Sequence, residues 1–506
     1  SGSWSGRIHS SNDTVIPALN TIVKSGSFGT SKYDLTTGIY VGGRYGGTHY
    51  APRLAKIEGG YIYNLNGGPL TDENKDDTND TYIYMTGGSV DIIIGGAGTT
   101  TTYGNRILQI TGGTVNYSVF GGSNGSDGTS SDGSISGDSY VYIGGTATIG
   151  NDEYINNEST LWGAESGSVF GAGNGNTRST AIGSVDNSNV IINDQALIKK
   201  NVYGSGNYGT VGYNASSISR TNIQILGGTV NGSVFGSGNQ SGSGRNNSVE
   251  SEINVSMSGG TVTDSIHGGS NQSGTVYGNV IIDLSGGTAQ NVYGGGLGSN
   301  TYVTQDVTVN TGQNADNLNI TGDLYGGSAY GTVNSSSKNN NVSRYQTTVN
   351  IKGGTIKNVF GGGRGNSSNT PYVAGNVTLT IDGGTIESAY GGNNASGEPN
   401  GEVNVYLNGG TIKNVYGGGN NTSVTNTHVY QNNAIVTNLF GGSNSSGNVE
   451  TSSVTVNGGQ TEKLFGGNNV GGQTKSSHVL IASGEIETAY GGGNLVDTNA
   501  TTVEVS

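Results

Sequence analysis

The chain has 506 residues, 95 of them glycine, with 31% hydrophobic and 11% charged residues, so it fits neither a globular domain with a thick core nor a charged disordered chain. Five prolines exclude collagen and polyproline stalks, and the absence of cysteine excludes disulfides, thiolate metal sites and cysteine nucleophiles. A formal net charge of −14 with no basic patch argues against nucleic acid and anionic membranes as partners.

Residues 1–55 carry few repeat marks. The apolar stretch "DTVIPALNTIVK" (13–24) is expected to cap an open solenoid end, and "VKSGSFG" (23–29) reads as a first rung. Residues 1–30 hold no signal-peptide core and no apolar run reaches the length of a membrane span, so the chain reads as a trimmed segment of a longer secreted protein. Weak repeat units follow at "YIYNLNGG" (61–68) and "SVDIIIGG" (89–96). Between them "TDENKDDTND" (71–80) gathers Asp72, Glu73, Asp76, Asp77 and Asp80, oxygen ligands of the kind calcium takes, although without EF-hand spacing. A solvated loop is the simpler reading, and calcium is the one cofactor kept in view.

From Val119-Phe120 onward, an aliphatic–aromatic pair followed by glycine recurs down to Ala489-Tyr490, and the last five steps span 30, 26, 24, 25 and 25 residues. Such a period marks a solenoid, in which no unit buries its own apolar face and stacking supplies stability. Each unit opens with an alternating strand such as "VNVYL" (403–407) or "VTLTI" (377–381), then Gly-Gly-Thr, a short aliphatic segment, the aromatic residue and Gly-Gly-x-Asn. Alternation punctuated by Gly and Asn is strand and turn grammar. The predicted fold is all-β, a single-stranded parallel β-helix of roughly sixteen rungs, taken as right-handed, which at about 4.8 Å per rung would make a rod about 75 Å long. A cap with a first rung over residues 1–55 and a repeat domain over 56–506 are the expected divisions.

The glycines are expected to supply positive φ and close approach at corners, and the recurrent Asn124, Asn239, Asn271, Asn420, Asn444 and Asn494 to tolerate the left-handed conformation while bonding to the next rung. Strict alternation after an inward Val415 turns Tyr416 outward, yet exchange of Tyr with Phe along this column argues for shielding by the Gly-rich corner. His267 sits in the same column and reads as a packed substitute.

Insertions follow the Gly-x-Asn corner, as at 171–188, 204–220, 236–247, 326–344 and 361–373, and should emerge along one edge. They carry Tyr208, Tyr213, Arg220, Arg245, Tyr330, Arg344, Tyr345, Arg364 and Tyr372, and aromatic faces beside guanidinium donors suit sugars. The bland reading is that they shield the edge and keep the rod soluble. A further insertion at 150–165 sets Trp162 and Tyr154 among Asp152, Glu153, Glu158 and Glu165, which makes it the first choice for a ligand pocket.

"GGSNG" (121–125) and "GSGNYG" (204–209) match a nucleophile elbow and a dinucleotide fingerprint in letters, but both need a following helix that the sequence lacks. "GGSNGSDG" (121–128) is similar to the calcium-binding nonapeptide of β-rolls, with its Asp out of register. A β-helix enzyme acting on polysaccharide would place carboxylates on neighbouring rungs, whereas Asp283 and Asp382 stand singly. Ice binding would use the column Thr114, Thr229, Thr261, Thr288, Thr355, Thr385 and Thr411, which is narrow for that task.

The units "GGTVNGSVFGSGN" (227–239), "GGTIKNVFGGG" (353–363) and "GGTIKNVYGGGN" (409–420) resemble the Gly-rich β-strand repeats of adhesin-like surface proteins of Gram-positive gut bacteria. The resemblance covers nearly the whole chain after about residue 55 and carries no transferable functional residues. It implies an extracellular, wall-associated solenoid, monomeric within a longer chain, that attaches to glycans or to host and neighbouring surfaces. A polysaccharide-active enzyme and a passive spacer are the alternatives.

Overall fold

The computed structural model of the protein describes residues 3–4, 7–9, 19–29, 38–41, 52–68, 79–96, 102–124, 135–155, 165–175, 183–212, 218–241, 251–313, 315, 317–339 and 341–506. These divide into two compact units, Ser1–Asp264 and Ser265–Ser506, each built as a parallel β-helix. Among the described residues the sole helix is the single turn Asp152–Ile155.

One coil of the second unit shows how the sequence dictates the path. In Val403–Leu407 the alternation sends Val403, Val405 and Leu407 inward, all fully buried, and leaves Asn404 and Tyr406 facing out. Gly410 then turns the chain at φ 83°, a left-handed conformation that costs a residue with a Cβ roughly 1–2 kcal/mol. Thr411–Tyr416 follows, with Ile412 and Val415 facing the interior. Gly417 has ordinary φ but lies so close to the next coil that a Cβ would stand 2.3 Å from the carbonyl oxygen of Gly441. Both glycine pairs of the repeat permit close contact between coils, since a Cβ on Gly409 would stand 2.4 Å from the Asp382 carbonyl oxygen, and the first pair sets the turn as well.

Stacking is in register. In the second unit the leading strands Gly278–Leu284, Val307–Thr311, Thr347–Ile351, Val377–Ile381, Val403–Leu407, Val424–Gln431, Val449–Val456, Thr474–Ile481 and Thr498–Val505 pair in parallel, each with the next. The following strands do the same from Gly287–Tyr293 through Glu485–Tyr490. From Asn319 to Tyr325 the chain has one residue more than from its register partner Thr355 to Phe360, and register shifts there as a bulge. A third ladder joins Ser273–Val276, Asn300–Val303, Thr332–Val333 and Tyr372–Val373, whose valines are all buried. Part of what was expected to be looped edge is thus strand, because each of these valines fills the third corner.

In the first unit eight leading strands among the described residues stack from Leu19–Val23 to Ser251–Met257. Parallel pairing already occurs within residues 1–55, where Ser3–Trp4 meets Ser27–Phe28 and Arg7–His9 meets Gly38–Tyr40. The second strand here breaks into pieces such as Thr229–Val230 and Val234–Phe235, since three residues separate the two inward positions instead of two. Arg53 and Arg106 occupy inward positions at 0% exposure. The Arg106 guanidinium donates to the carbonyls of Asn79, Tyr103, Gly104 and Asn105 at 3.0–3.2 Å, which offsets the cost of burying it.

Candidate functional site

The aromatic column is buried except at its last member, Tyr490, which is exposed. In the second unit His267, Tyr293, Tyr325, Phe360, Tyr390, Tyr416, Phe440, Phe465 and Tyr490 stack with ring centroids 4.5–5.0 Å apart and planes within 11° of parallel. The spacing is that of the coils, so backbone pairing imposes the stack and the rings fill it. In the first unit Phe120, Phe170, Tyr203 and Phe235 do likewise at 4.7–5.1 Å. His267 is the packed substitute the sequence suggested, and burial, with the charge of Arg364 nearby, pushes its pKa down to about 3.

The corner asparagines lie along this column. Asn420 donates to Asn394, Asn444 to Asn420, Asn469 to Asn444 and Asn494 to Asn469, all at 2.8–2.9 Å. Asn174, Asn207 and Asn239 form a like ladder from Asn124 within the first unit at 2.8–3.1 Å. The bonding between rungs is as expected, but the left-handed conformation is not: Asp194 and Asn334 are the non-glycine residues with positive φ among those described. An amide ladder needs only in-register stacking, which extended backbone already provides.

These amides also reach the tyrosines two coils back. Asn394 donates to the Tyr325 hydroxyl at 2.8 Å and Asn469 to that of Tyr416 at 3.5 Å. Tyr325 in turn donates to Asp323 at 2.8 Å, and burial pushes its pKa well above the usual phenol range. Where the column holds Phe, the hydroxyl is lost and the packing remains, which accounts for the exchange of the two residues.

One stretch of this edge departs from the pattern. Backbone bonds place Leu297, Ala329 and Arg364 at the ladder position that Asn394 and Asn420 occupy on later coils. Arg364 keeps the two-coil reach, its Nη1 lying 3.5 Å from the Tyr293 hydroxyl, and its guanidinium also stands 5.8 Å from the centre of the Tyr330 ring. Burial pushes the Tyr293 pKa up to about 12 despite the arginine, so the phenol stays protonated and its oxygen accepts. Leu297 and Tyr330, both partly buried, pack against the stacked rings. The result is an exposed cation beside an aromatic face and an aliphatic side chain, next to the third ladder, since Tyr372 donates its backbone N–H to the Gly331 carbonyl at 3.0 Å.

The other candidates fall as follows. The Tyr372 hydroxyl accepts from Asn400, which also reaches the Asn339 carbonyl at 3.0 Å. Arg344 stacks on the adjacent Tyr345, 4.7 Å from its centre. Tyr208 is half-buried in a first-unit corner and donates its N–H to the Asn174 carbonyl. Arg220 lies on the strand Ser219–Ile225 and not in a loop, paired with Glu252 at 3.9 Å because the two face out at adjacent register positions. Glu153 is exposed on the single helical turn. Of the carboxylates around it, Asp152 pairs with Lys199 at 2.8 Å, and Glu165 is buried, accepting from Tyr203 and Asn201 at 2.9 and 3.0 Å. Trp162, Glu158, Tyr213, Arg245, Asp72, Asp76, Asp77 and the Tyr154 side chain lie outside the described residues. Asp80 accepts from the Asn105 backbone N–H at 2.8 Å.

Asp283 and Asp382, the scattered acids, each accept an asparagine amide from the next coil, Asn310 and Asn408, at 2.8 Å, and so belong to the ladders. Among the described residues no three His, Asp or Glu side chains converge as a metal site would require. Comparison with protein-family models, with curated proteins and with solved structures finds no match.

Proposed function

We propose that this chain is a non-enzymatic adhesive β-solenoid of a bacterial surface, binding carbohydrate through its corner edge around Arg364 and Tyr330. The observation that carries the reading is the interruption of the asparagine ladder: where other coils satisfy their own amides, this stretch offers a guanidinium over an aromatic ring, with Leu297 packed against the same stacked rings. An apolar ring face meets the C–H face of a sugar, and the guanidinium donates to hydroxyls or a carboxylate. The repeat's resemblance to adhesin-like proteins of Gram-positive gut bacteria supports an extracellular, wall-associated setting.

A glycan-array screen with the chain and its Arg364→Ala and Tyr330→Ala variants tests this. Specific binding that both substitutions weaken supports it. Release of shortened product from a bound polysaccharide would favour a β-helix enzyme, and absence of all binding would favour a passive spacer.

A further inference from the structure

A second surface of the Ser265–Ser506 unit has its own chemistry. An open trough of about 600 Å³ crosses five successive coils, from Asn319 to Thr437. Thr355, Thr385 and Thr411 are register partners along one side, all exposed. Along the other run Lys357, Glu387 and Lys413, each set between register-paired neighbours and each exposed. Between these rows run Ile320, Ile356, Ile386 and Ile412, whose side chains point inward and are buried, so the floor of the trough is their backbone. Strands in a sheet lie about 4.8 Å apart, so the charges alternate coil by coil and the two lysines are about 10 Å apart along the stack. Although opposite charges are neighbours, none of the three forms an ion pair within 4.0 Å among the described residues. Beyond Thr437 the charged row turns acidic at Glu462 and Glu487, which bounds the cationic segment.

We infer that this trough binds a linear polysaccharide carrying an anionic group on every second sugar. One pyranose is about as long as one coil is thick, so a chain laid along the trough meets one coil per sugar. Its C–H faces rest on the threonine methyls and the methylene stems of the lysines, and its hydroxyls meet the threonine Oγ atoms. Carboxylates two sugars apart fall opposite Lys357 and Lys413, while Glu387 faces the intervening neutral sugar and accepts from its hydroxyl or amide. A polyuronate would set a carboxylate against Glu387. An extended peptide repeats its same-side groups about every 6.8 Å, out of step with the lysines. Nucleic acid is disfavoured by the net charge of −14. The trough is distinct from the corner edge, and the inference stands without Arg364.

Calorimetric titration of the whole chain with oligosaccharides of hyaluronan, polygalacturonate and cellulose, each long enough to cover five coils, tests it. Hyaluronan is expected to bind best and to weaken as salt rises. The Lys357→Gln, Lys413→Gln double variant should bind it at least tenfold more weakly with an unchanged melting curve, Arg364→Ala should bind it as the parent does, and Glu387→Gln should gain affinity for polygalacturonate. Equal binding of the neutral oligosaccharide, indifference to the double substitution, or loss in Arg364→Ala would overturn the inference. So would preferential binding of an acidic amphipathic helical peptide.

Discussion

His267 makes the stability of its neighbourhood depend on pH in a way that one substitution removes. The ring is 1% exposed and stacked 4.7 Å from Tyr293, and burial holds its pKa down near 3, against about 6.5 for a histidine in an unfolded chain. Between those values the unfolded chain binds a proton that the fold refuses, so stability is fully present above pH 6.5 and declines as pH falls toward 3. At pH 5 the difference is 1.5 pH units, or about 2 kcal/mol at 1.36 kcal/mol per unit. Phenylalanine suits this column, so His267→Phe should keep the stack and abolish this share of the loss. Native-state amide exchange at Gly268, whose N–H donates to the Tyr293 carbonyl at 2.9 Å, measures the local opening free energy. Comparing pH 7.5 with pH 5.0 in the parent and the variant cancels the other titrating groups. Equal losses in both would refute the reasoning, because they would mean that His267 accepts its proton within the fold.

Phe360, stacked at 4.8 and 4.5 Å on Tyr325 and Tyr390, should cost about 3–5 kcal/mol as Phe360→Ala and far less as Phe360→Tyr, read from urea unfolding. Gly410→Asn should be milder than Gly410→Ala, since Asn tolerates the left-handed conformation. At Gly417 both substitutions should be more severe, because a Cβ there would stand 2.3 Å from the backbone of the next coil, against 2.9 Å from the backbone of the preceding coil at Gly410; equal rescue by Asn at the two sites in thermal melts would contradict this. Asn444→Ala removes a bond donated to Asn420 and one accepted from Asn469, and should lower stability by about 1–3 kcal/mol in denaturant titration, with no rescue by the longer Gln.

The coil path was legible because its signal is local. Val403, Val405 and Leu407 alternate within five residues, and Gly410 follows where the turn must come. The burial of Tyr416 was harder to read, since Asn469, which meets its hydroxyl, lies 53 residues on and two coils away. The role of Gly417 was hidden for the same reason: the atom it must clear belongs to Gly441. At the candidate site, Tyr330 and Arg364 stood out by residue type, but their partner Tyr293 reads as one more member of a repeated column. Lys357, Glu387 and Lys413 form a row through stacking alone, each a full repeat from the next. Arg106 was invisible as an interior residue, because alternation marks its position as inward while its charge argues for the surface.

In the later coils of the second unit the asparagine amides all point one way, each coil donating to its predecessor and accepting from its successor through the same side chain. A gene duplication or deletion spanning one whole period would therefore rejoin matching donors and acceptors and leave no orphaned group at the seam. A change of half a period would strand an amide and misalign a ring at once. Length is thus a trait that recombination can adjust in units of one coil, at little risk to folding, while each coil's surface residues remain free to diverge.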